Sequence, residues 1–405
     1  MSLHTSRLGV AAAGLAALVV LLAGCATPAA PPAPLPPPST QPAAPQPTGE
    51  PIKIGAILSL TGPGAPLGTP EGATLQMLEK SYNDQGGVNG RPLKIIIIDD
   101  QSKEEDALTA AKQLIESDKV VACLGPSTSP TTMAIMPTFE KAQIPLISCA
   151  AAVAITQPVQ KYIFSTAQPD TLAVAKLLDY LKTKGYKQLA VLADSNTFGQ
   201  SGVKALQDQA PKKGMTIVDT ESFGTKDPTM KTQLTTIKDK HPEALICWGT
   251  NPGPAAVAKD VQALKLTIPL FMSHGVSSAK FIELAGAAAE GVILPSGRIL
   301  VADQLPATDK QKPVLDEYTK AFAAANGGKL PDHFGGHAWD ALHILVAALK
   351  TAGPDPAKLE AALEQTKDFV GVSGIFTLSP TDHNGLTKDA FVLVTVKDGK
   401  WKLAQ

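Results

Sequence analysis

The sequence predicts an α/β protein with two lobes, each built on a parallel β-sheet and joined by a hinge that the chain crosses several times. Three observations support this. From Pro51 onward, short apolar runs alternate with stretches of helical length, which is typical of a parallel sheet with crossover helices. The same alternation begins again after residues 162–166. The chain closes with two alternating strands around Lys397-Asp-Gly399, a hairpin signal.

The first unit surrounds a central strand that ends at Gly125 and leads through a hydroxyl-rich loop into a helix. The run of isoleucines at 95–98 indicates a strand buried on both faces. The predicted strands of this unit lie at 51–60, 93–99, 144–149 and 162–166, and its helices at 70–83, 104–117 and 131–142.

The second unit repeats this pattern, and a final block follows it. The predicted strands are 188–193, 215–221, 244–248, 268–272, 391–396 and 399–403, and the helices are 171–182, 198–210, 228–239, 255–264, 312–326, 336–351 and 356–365.

Crossings between the lobes are expected near Thr166, Arg298 and Phe369. The first lobe is then 51–167 plus 299–368, and the second is 168–298 plus 369–405. Ligands of open α/β sheets bind beyond the carboxyl ends of the strands. In two facing lobes, those ends would meet across a cleft.

The N-terminal 25 residues have the pattern of an export signal, with Arg7 before an apolar run too short for a confident membrane span. Leu22-Ala-Gly-Cys25 resembles a bacterial lipobox. This resemblance implies cleavage before Cys25 and lipidation of its thiol, so we expect a lipid-anchored protein in the periplasm or at the cell surface. Residues 26–50 are rich in proline and alanine and predict an extended tether.

Composition excludes some classes of function. The formal net charge of −1 over 405 residues argues against nucleic acid as a partner. Besides Cys25, the chain has Cys123, Cys149 and Cys247, without metal-ligand spacing. Buried thiols are the favoured interpretation, and a disulfide between Cys123 and Cys149 remains an alternative.

The loop Ser127-Thr-Ser129 precedes a predicted helix, with Pro130 close to its start. Free backbone N–H groups, the helix dipole and hydroxyl donors together suit a small anion. No base stands beside these hydroxyls in the sequence, so the pattern indicates binding rather than nucleophilic catalysis. The alternative is that the residues only cap the helix.

The sequence contains no convincing motif of an enzyme or a cofactor site. The glycines of 61–68 have the wrong spacing for a dinucleotide loop, and Pro63 and Pro66 remove N–H donors. No GxSxG, P-loop or HExxH motif occurs, so we expect neither an enzyme nor a cofactor. His333 and His337 have the spacing of a metal pair on one helix face, but glycines separate them and histidines at a helix start are the favoured interpretation.

Many ordered motifs resemble one family. They are 51–63, Glu71-Gly-Ala73, 83–92, Asp99-Asp100, 125–129, 144–147, Asp194-Ser-Asn-Thr-Phe-Gly199, 223–227 and Gly291-Val-Ile-Leu294. Together they look like the type I periplasmic-binding proteins of branched-chain amino acid ABC transporters, over nearly all of 51–403. The resemblance implies two Rossmann-like lobes that close on a small ligand and deliver it to a membrane permease.

The resemblance also implies a set of site residues. In the first lobe, the ligand carboxylate would be held at Ser129, with Thr128 beside it, at the backbone of Ala150, and at Ala152, where family members usually carry Thr or Ser. In the second lobe, aromatic residues would be supplied by Phe198 and by a position near Trp248 or Asn251. Leu67 replaces an aromatic residue often found over the ligand. The acidic residue that pairs with the ligand ammonium falls on His274.

This departure predicts a change of ligand. A buried ammonium needs a carboxylate partner, and His274 cannot supply one. An imidazole suits a carboxylate, phenol or carbonyl. The family resemblance implies a small carboxylate-bearing solute of the branched-chain amino acid family, and from His274 we hypothesise an aromatic or short aliphatic acid without a required ammonium. We expect a monomer that works with an ABC permease and ATPase. A ligand sensor of the same fold that signals to a regulator or kinase is the alternative.

Overall fold

The structure is a computed structural model that describes residues 46–404. The predicted signal segment, Cys25 and most of the tether lie outside the described residues. Between residues 46 and 404, no helix combines the length and the apolar character needed to cross a bilayer.

The strands of the described chain form two large β-sheets and a separate two-stranded antiparallel sheet. They are β1 (Ile52–Leu58), β2 (Leu93–Asp99), β3 (Ala122–Leu124), β4 (Leu146–Ser148), β5 (Ile163–Ser165), β6 (Gln188–Asp194), β7 (Thr216–Phe223), β8 (Ala244–Trp248), β9 (Leu270–Met272), β10 (Ile293–Ser296), β11 (Phe369–Val370), β12 (Ile375–Phe376), β13 (Val392–Lys397) and β14 (Lys400–Leu403). The small sheet consists of β11 and β12. Strands β1 to β5 form a parallel sheet in the order β2-β1-β3-β4-β5, and seven later strands form a second sheet in the order β14-β13-β10-β9-β8-β6-β7. In the second sheet, only the contacts of β13 with β10 and with β14 are antiparallel.

Helices cover both faces of each large sheet. They are α1 (Ala65–Asp84), α2 (Glu104–Lys112), α3 (Ser129–Ala142), α4 (Asp170–Thr183), α5 (Thr197–Gln209), α6 (Lys231–Lys238), α7 (Gly253–Ala263), α8 (Ala279–Ala285), α9 (Lys312–Ala325), α10 (His333–Ala352) and α11 (Pro356–Leu363). We call the five-stranded sheet with its helices the first lobe, and the seven-stranded sheet with its helices the second lobe.

Alternating side chains of β1 show how the first sheet is covered. Ile54 and Leu58 pack with residues of α1 and α10 in one apolar cluster. Ile57 points the other way, into a second cluster with residues of α2 and α3. A strand between two helical layers must be apolar on both faces, which explains the continuous apolar run of β1.

The isoleucine run in β2 is less buried than predicted. Ile95 is buried, but Ile96, Ile97 and Ile98 are only partly so. The reason is the position of β2 at the edge of the sheet. The prediction of a strand buried on both faces was therefore wrong for β2, because β-branched composition does not distinguish an edge strand from a central one.

The closing hairpin is confirmed. Lys397 pairs with Lys400 across a two-residue turn, and Asp398 and Gly399 both have positive φ, 54° and 67°. Two such residues in sequence are what a type I′ hairpin turn requires.

Helix ends differ from the predictions where local signals were ambiguous. Helix α1 begins at Ala65, five residues before the predicted start at Pro70, because Pro70 lies inside the helix and not at its first position. Helix α2 ends at Lys112 and continues as a π-helical turn from Gln113 to Asp118. The sequence pattern predicts neither helix α8 nor strands β10, β11 and β12.

The chain passes between the lobes after β5, after β10 and before β13. Val372, Phe376 and Leu386 pack in a core cluster of the first lobe, whereas Val394 belongs to a cluster of the second. This packing favours a last crossing near Phe391 over one near Phe369. The lobe boundaries as a whole remain a prediction.

In the described part of the chain, Cys123, Cys149 and Cys247 are buried free thiols. The alternative disulfide between Cys123 and Cys149 is therefore not formed.

Candidate ligand-binding cleft

A cavity of about 390 Å³ lies between the lobes, within the size range of small-molecule sites. Loops at the carboxyl ends of strands in both sheets line it, as expected for open α/β sheets. The lining segments are 61–64, 101–103, 127–130 and 149–151 in the first lobe, Asn196, Phe198, Thr225, Lys226, Thr250, His274 and Gly275 in the second, and Leu67, Phe334 and His337 on helices of the first.

The hydroxyl-rich loop forms the first-lobe wall. Thr128 is the N-cap of α3, and its Oγ1 accepts a hydrogen bond from the N–H of Thr131. Ser129 is buried, and its Oγ accepts from the N–H of Ala152 at 3.2 Å. A serine oxygen that accepts this bond still has its own proton to donate. The start of α3 therefore offers a hydroxyl donor and the positive end of a helix dipole to an anion.

Six of the predicted site residues line this one cavity. They are Leu67, Thr128, Ser129, Ala150, Phe198 and His274.

Ala152, Trp248 and Asn251 are buried but do not line the cavity. The N–H of Ala150, predicted to serve the ligand, is donated to Ser148 Oγ at 3.0 Å. The roles of all these residues toward a ligand remain predictions.

Aromatic rings form the second-lobe wall around His274. The centroid of the His274 ring lies 5.4 Å from that of Phe198, 5.9 Å from that of Trp248 and 5.3 Å from that of Phe391, all edge to face. Trp248 packs against Gly202, where a Cβ would fall 2.2 Å from the indole Nε1. The glycine thus lets Trp248 support the wall from behind.

His274 is only 2% exposed. Burial lowers its pKa to about 3, and the backbone carbonyl of Gln168 counteracts this only in part. The ring is therefore neutral at neutral pH and can both donate and accept a hydrogen bond.

The charges at the cavity are all basic. Among its described lining residues none is Asp or Glu, whereas Lys103 of the first lobe and Lys226 of the second are present, both exposed. A cleft of this composition attracts anions and offers no carboxylate partner to a cation.

Behind the first-lobe wall lies a buried acid that sequence reasoning did not single out. Ser127 Oγ accepts from the N–H of Ser59 and donates to the carboxylate of Glu71. Glu71 is fully buried, and burial raises its pKa well above the ordinary value, with the charges of Asp332 and Asp100 adding to the rise. Only its place in the family motif Glu71-Gly-Ala73 marked it in the sequence.

His333 and His337 stand at the beginning of α10, and both are buried. Across residues 46–404, no group of three or more His, Cys, Asp or Glu side chains is arranged to hold a metal ion. His337 lines the cavity beside Phe334, a position that helical spacing alone did not reveal.

With this geometry established, comparison with known proteins gives the family. A family model described as periplasmic binding protein matches residues 51–400. The chain belongs to the periplasmic binding protein family. The resemblance drawn from the motifs is confirmed, and so is the α/β fold class with parallel sheets.

Named proteins similar to this chain agree with this family assignment. The Leu/Ile/Val-binding protein of Escherichia coli K12 is 24% identical over 320 residues, which are 78% of this chain and 83% of that protein. An extracellular ligand-binding receptor from Rhodopseudomonas palustris HaA2 superposes with a TM-score of 0.83 at 26% identity, covering 87% of this chain and 99% of that one.

The branched-chain amino acid transporter substrate-binding protein LivJ of Streptococcus pneumoniae, solved with isoleucine, superposes with a TM-score of 0.78 at 25% identity, covering 88% of this chain and 99% of its own.

Proposed function

We propose that this chain is the solute-binding component of an ABC importer and that its cleft holds a small carboxylate that needs no ammonium group. The charge of the cavity is the observation that supports a carboxylate ligand without an ammonium group. None of the described lining residues is acidic, and the position that the family resemblance assigns to the ammonium partner is His274.

The cost of an unpaired charge supports this ligand class. An ammonium in this cleft would lose water and meet the aromatic walls and a neutral imidazole. Removing a charge from water without a partner costs several kcal/mol, on the order of the binding energy itself. An acid without the ammonium avoids that cost.

The first-lobe wall supports a carboxylate. The hydroxyl of Ser129 and the start of α3 face the cavity, and a charge-assisted hydrogen bond to a carboxylate is about twice as strong as a neutral one. The positive charges of Lys103 and Lys226, which also line the cavity, attract a carboxylate without making a defined contact with it.

The transport role rests on family membership and on the named functions of the relatives. Lobes joined by three chain crossings can close on a solute by a hinge motion, and a permease can then recognise the closed form. In this proposal the protein acts outside the cytoplasm as a monomer held by a lipid on Cys25, and it works with a permease and an ATPase subunit. No contact in the described part of the chain favours the alternative of a sensor.

A thermal-shift screen of the purified protein tests this function. One panel contains leucine, isoleucine and valine, and the other contains the same skeletons without the ammonium, such as isocaproate, together with aromatic acids. A ligand at a hundred times its Kd stabilises the folded protein by about 2.7 kcal/mol. We expect a shift with the acids and none with the amino acids. A response to the amino acids alone would overturn the ligand class, and no response to either panel would overturn binding of small carboxylates.

A further inference from the structure

Three histidines meet where the two lobes join at the cleft. His274 begins a short turn of the second lobe, and His333 and His337 lie on the first two turns of α10 in the first lobe. The ring centroids of His274 and His333 are 6.3 Å apart, and those of His333 and His337 are 4.6 Å apart. Each side chain is only 2% exposed. We call His274, His333 and His337 the imidazole cluster.

Neighbouring groups define which nitrogens of the cluster carry protons. Gln168 Nε2 donates to the carbonyl of Ser373 at 2.7 Å, so the amide oxygen of Gln168 faces His337 Nε2 at 3.0 Å and accepts its proton. His337 Nδ1 is then an acceptor. His333 Nδ1 accepts from the N–H of Gly297 at 3.2 Å, so the proton of His333 is on Nε2, which is a donor.

Although the backbone carbonyls of Gln168 and Cys149 lie near the rings of His274 and His337, the remaining nitrogens make no hydrogen bond of acceptable geometry within the described protein. They are both ring nitrogens of His274, Nε2 of His333 and Nδ1 of His337. A buried polar group without a partner is unfavourable. His274 and His337 also line the cavity, so a bound solute can reach them.

This set of free groups selects a particular chemistry. His337 Nδ1 needs a donor, His333 Nε2 needs an acceptor, and the neutral ring of His274 offers one of each. A hydroxyl group both donates and accepts. A carbonyl or a second carboxylate could not donate to His337, and an ammonium could not accept from His274 or His333.

We propose that the imidazole cluster binds a hydroxyl group of the ligand, so that the solute is a hydroxycarboxylic acid. This rests on the proposed function, in which the carboxylate lies at Ser129 and the start of α3. The ring of Phe198 lines the cavity beside His274, and it provides an apolar wall for the carbon skeleton between the two polar ends.

Titration calorimetry of the purified protein with matched acids tests the proposal. The probes are benzoate with its para-hydroxy and para-aminomethyl derivatives, and pentanoate with its ω-hydroxy derivative. A site built to hydrogen-bond a hydroxyl discriminates strongly against an analogue that lacks it. We expect the hydroxylated member of at least one pair to bind with a Kd lower by about tenfold or more.

Two variants make the test specific. In His337→Phe the advantage of the hydroxylated acid should disappear, while the unsubstituted acid still binds, which shows that the variant is folded. The control His343→Phe changes a histidine on the same helix that lies outside the cavity, and it should keep the advantage.

The outcomes separate the two proposals. If unsubstituted and hydroxylated acids bind equally, the imidazole cluster is not a hydroxyl site, although carboxylate binding stands. An advantage that persists in His337→Phe would also overturn the proposal. If no acid binds, the proposed function fails as well.

Discussion

The side-chain oxygen of Ser129 accepts a hydrogen bond from the backbone N–H of Ala152, with 3.2 Å between nitrogen and oxygen. This bond joins the first turn of α3 to the segment after β4. Because the oxygen is held as an acceptor, its proton is left to donate, and Ser129 lines the cavity.

The first prediction concerns this hydroxyl. Ser129→Ala should raise the Kd of a bound carboxylic acid by roughly 10- to 100-fold, because a hydrogen bond to a charged group contributes about 1.5–3 kcal/mol. Titration calorimetry measures the change. Thr109→Ala, on the exposed surface of α2, is the control and should leave the Kd unchanged. An unchanged Kd in Ser129→Ala would place the carboxylate elsewhere.

The second prediction concerns association. Lys103 and Lys226 are exposed side chains from opposite lobes that line the same cavity. Lys226→Gln should lower the association rate of an acid by about two- to fivefold at low ionic strength, with a smaller effect at high salt. Stopped-flow fluorescence measures the rate. Lys265→Gln, at an exposed position outside the cavity, should have no effect, and an equal effect from both variants would argue against steering at the cleft.

The third prediction is a pH dependence of stability from His274. Its pKa is lowered from 6.5 to about 3 in the folded protein. Below about pH 6.5, therefore, the unfolded chain takes up a proton that the folded protein does not, and stability falls as pH falls toward 3. His333 and His337, the titratable neighbours in the cluster, also have lowered pKa values, first through burial and then through the charge of His337 and His274 on His333 and of His274 on His337.

The variant His274→Phe isolates this contribution. When the pH is lowered from about 7.5 to about 5, the unfolding free energy of wild type should fall by up to about 2 kcal/mol relative to that of the variant. Urea denaturation at both pH values measures the difference. His241→Gln, an exposed histidine, should track wild type. If the difference in unfolding free energy between wild type and His274→Phe does not change with pH, the account of a neutral buried His274 is contradicted.

The fourth prediction is a loss of stability as pH rises, whereas the third is a loss of stability as pH falls. Burial raises the pKa of Glu71 well above its ordinary value of 4.5, so its contribution to stability is full below that value and is lost as pH rises. Glu71→Gln cannot ionise. It should gain stability relative to wild type as pH rises from about 5 to about 8, by at most about 1.4 kcal/mol per pH unit. Glu116→Gln, at an exposed site, should show no such trend in the same denaturation experiment.

The sequence predicted the architecture better than the site. Continuous apolar runs and turn residues depend on local physics, so the order of strands and helices and the hairpin at Asp398 and Gly399 could be predicted. The edge position of β2 could not, because it follows from which strands pair.

The cleft was predicted on the first lobe through the Ser127-Thr-Ser129 loop, whose donors precede a helix. The second-lobe residues came only with the family resemblance. The sequence did not predict His337 as a cavity residue, because the approach of the start of α10 to His274, seen in the His274–His333 contact, depends on how α10 meets the second lobe. Sequence spacing contains no information about a contact between two lobes.

The fifth prediction tests the central claim, that His274 replaces an acid and so changes the ligand. The measurement is titration calorimetry of wild type and His274→Glu with leucine and with isocaproate, which differ only by the ammonium. Wild type should bind isocaproate more tightly than leucine, and His274→Glu should reverse the order, because the new carboxylate can pair with the ammonium of leucine, whereas isocaproate has only a carboxylate, which the glutamate repels. Tighter binding of leucine by wild type would contradict the account.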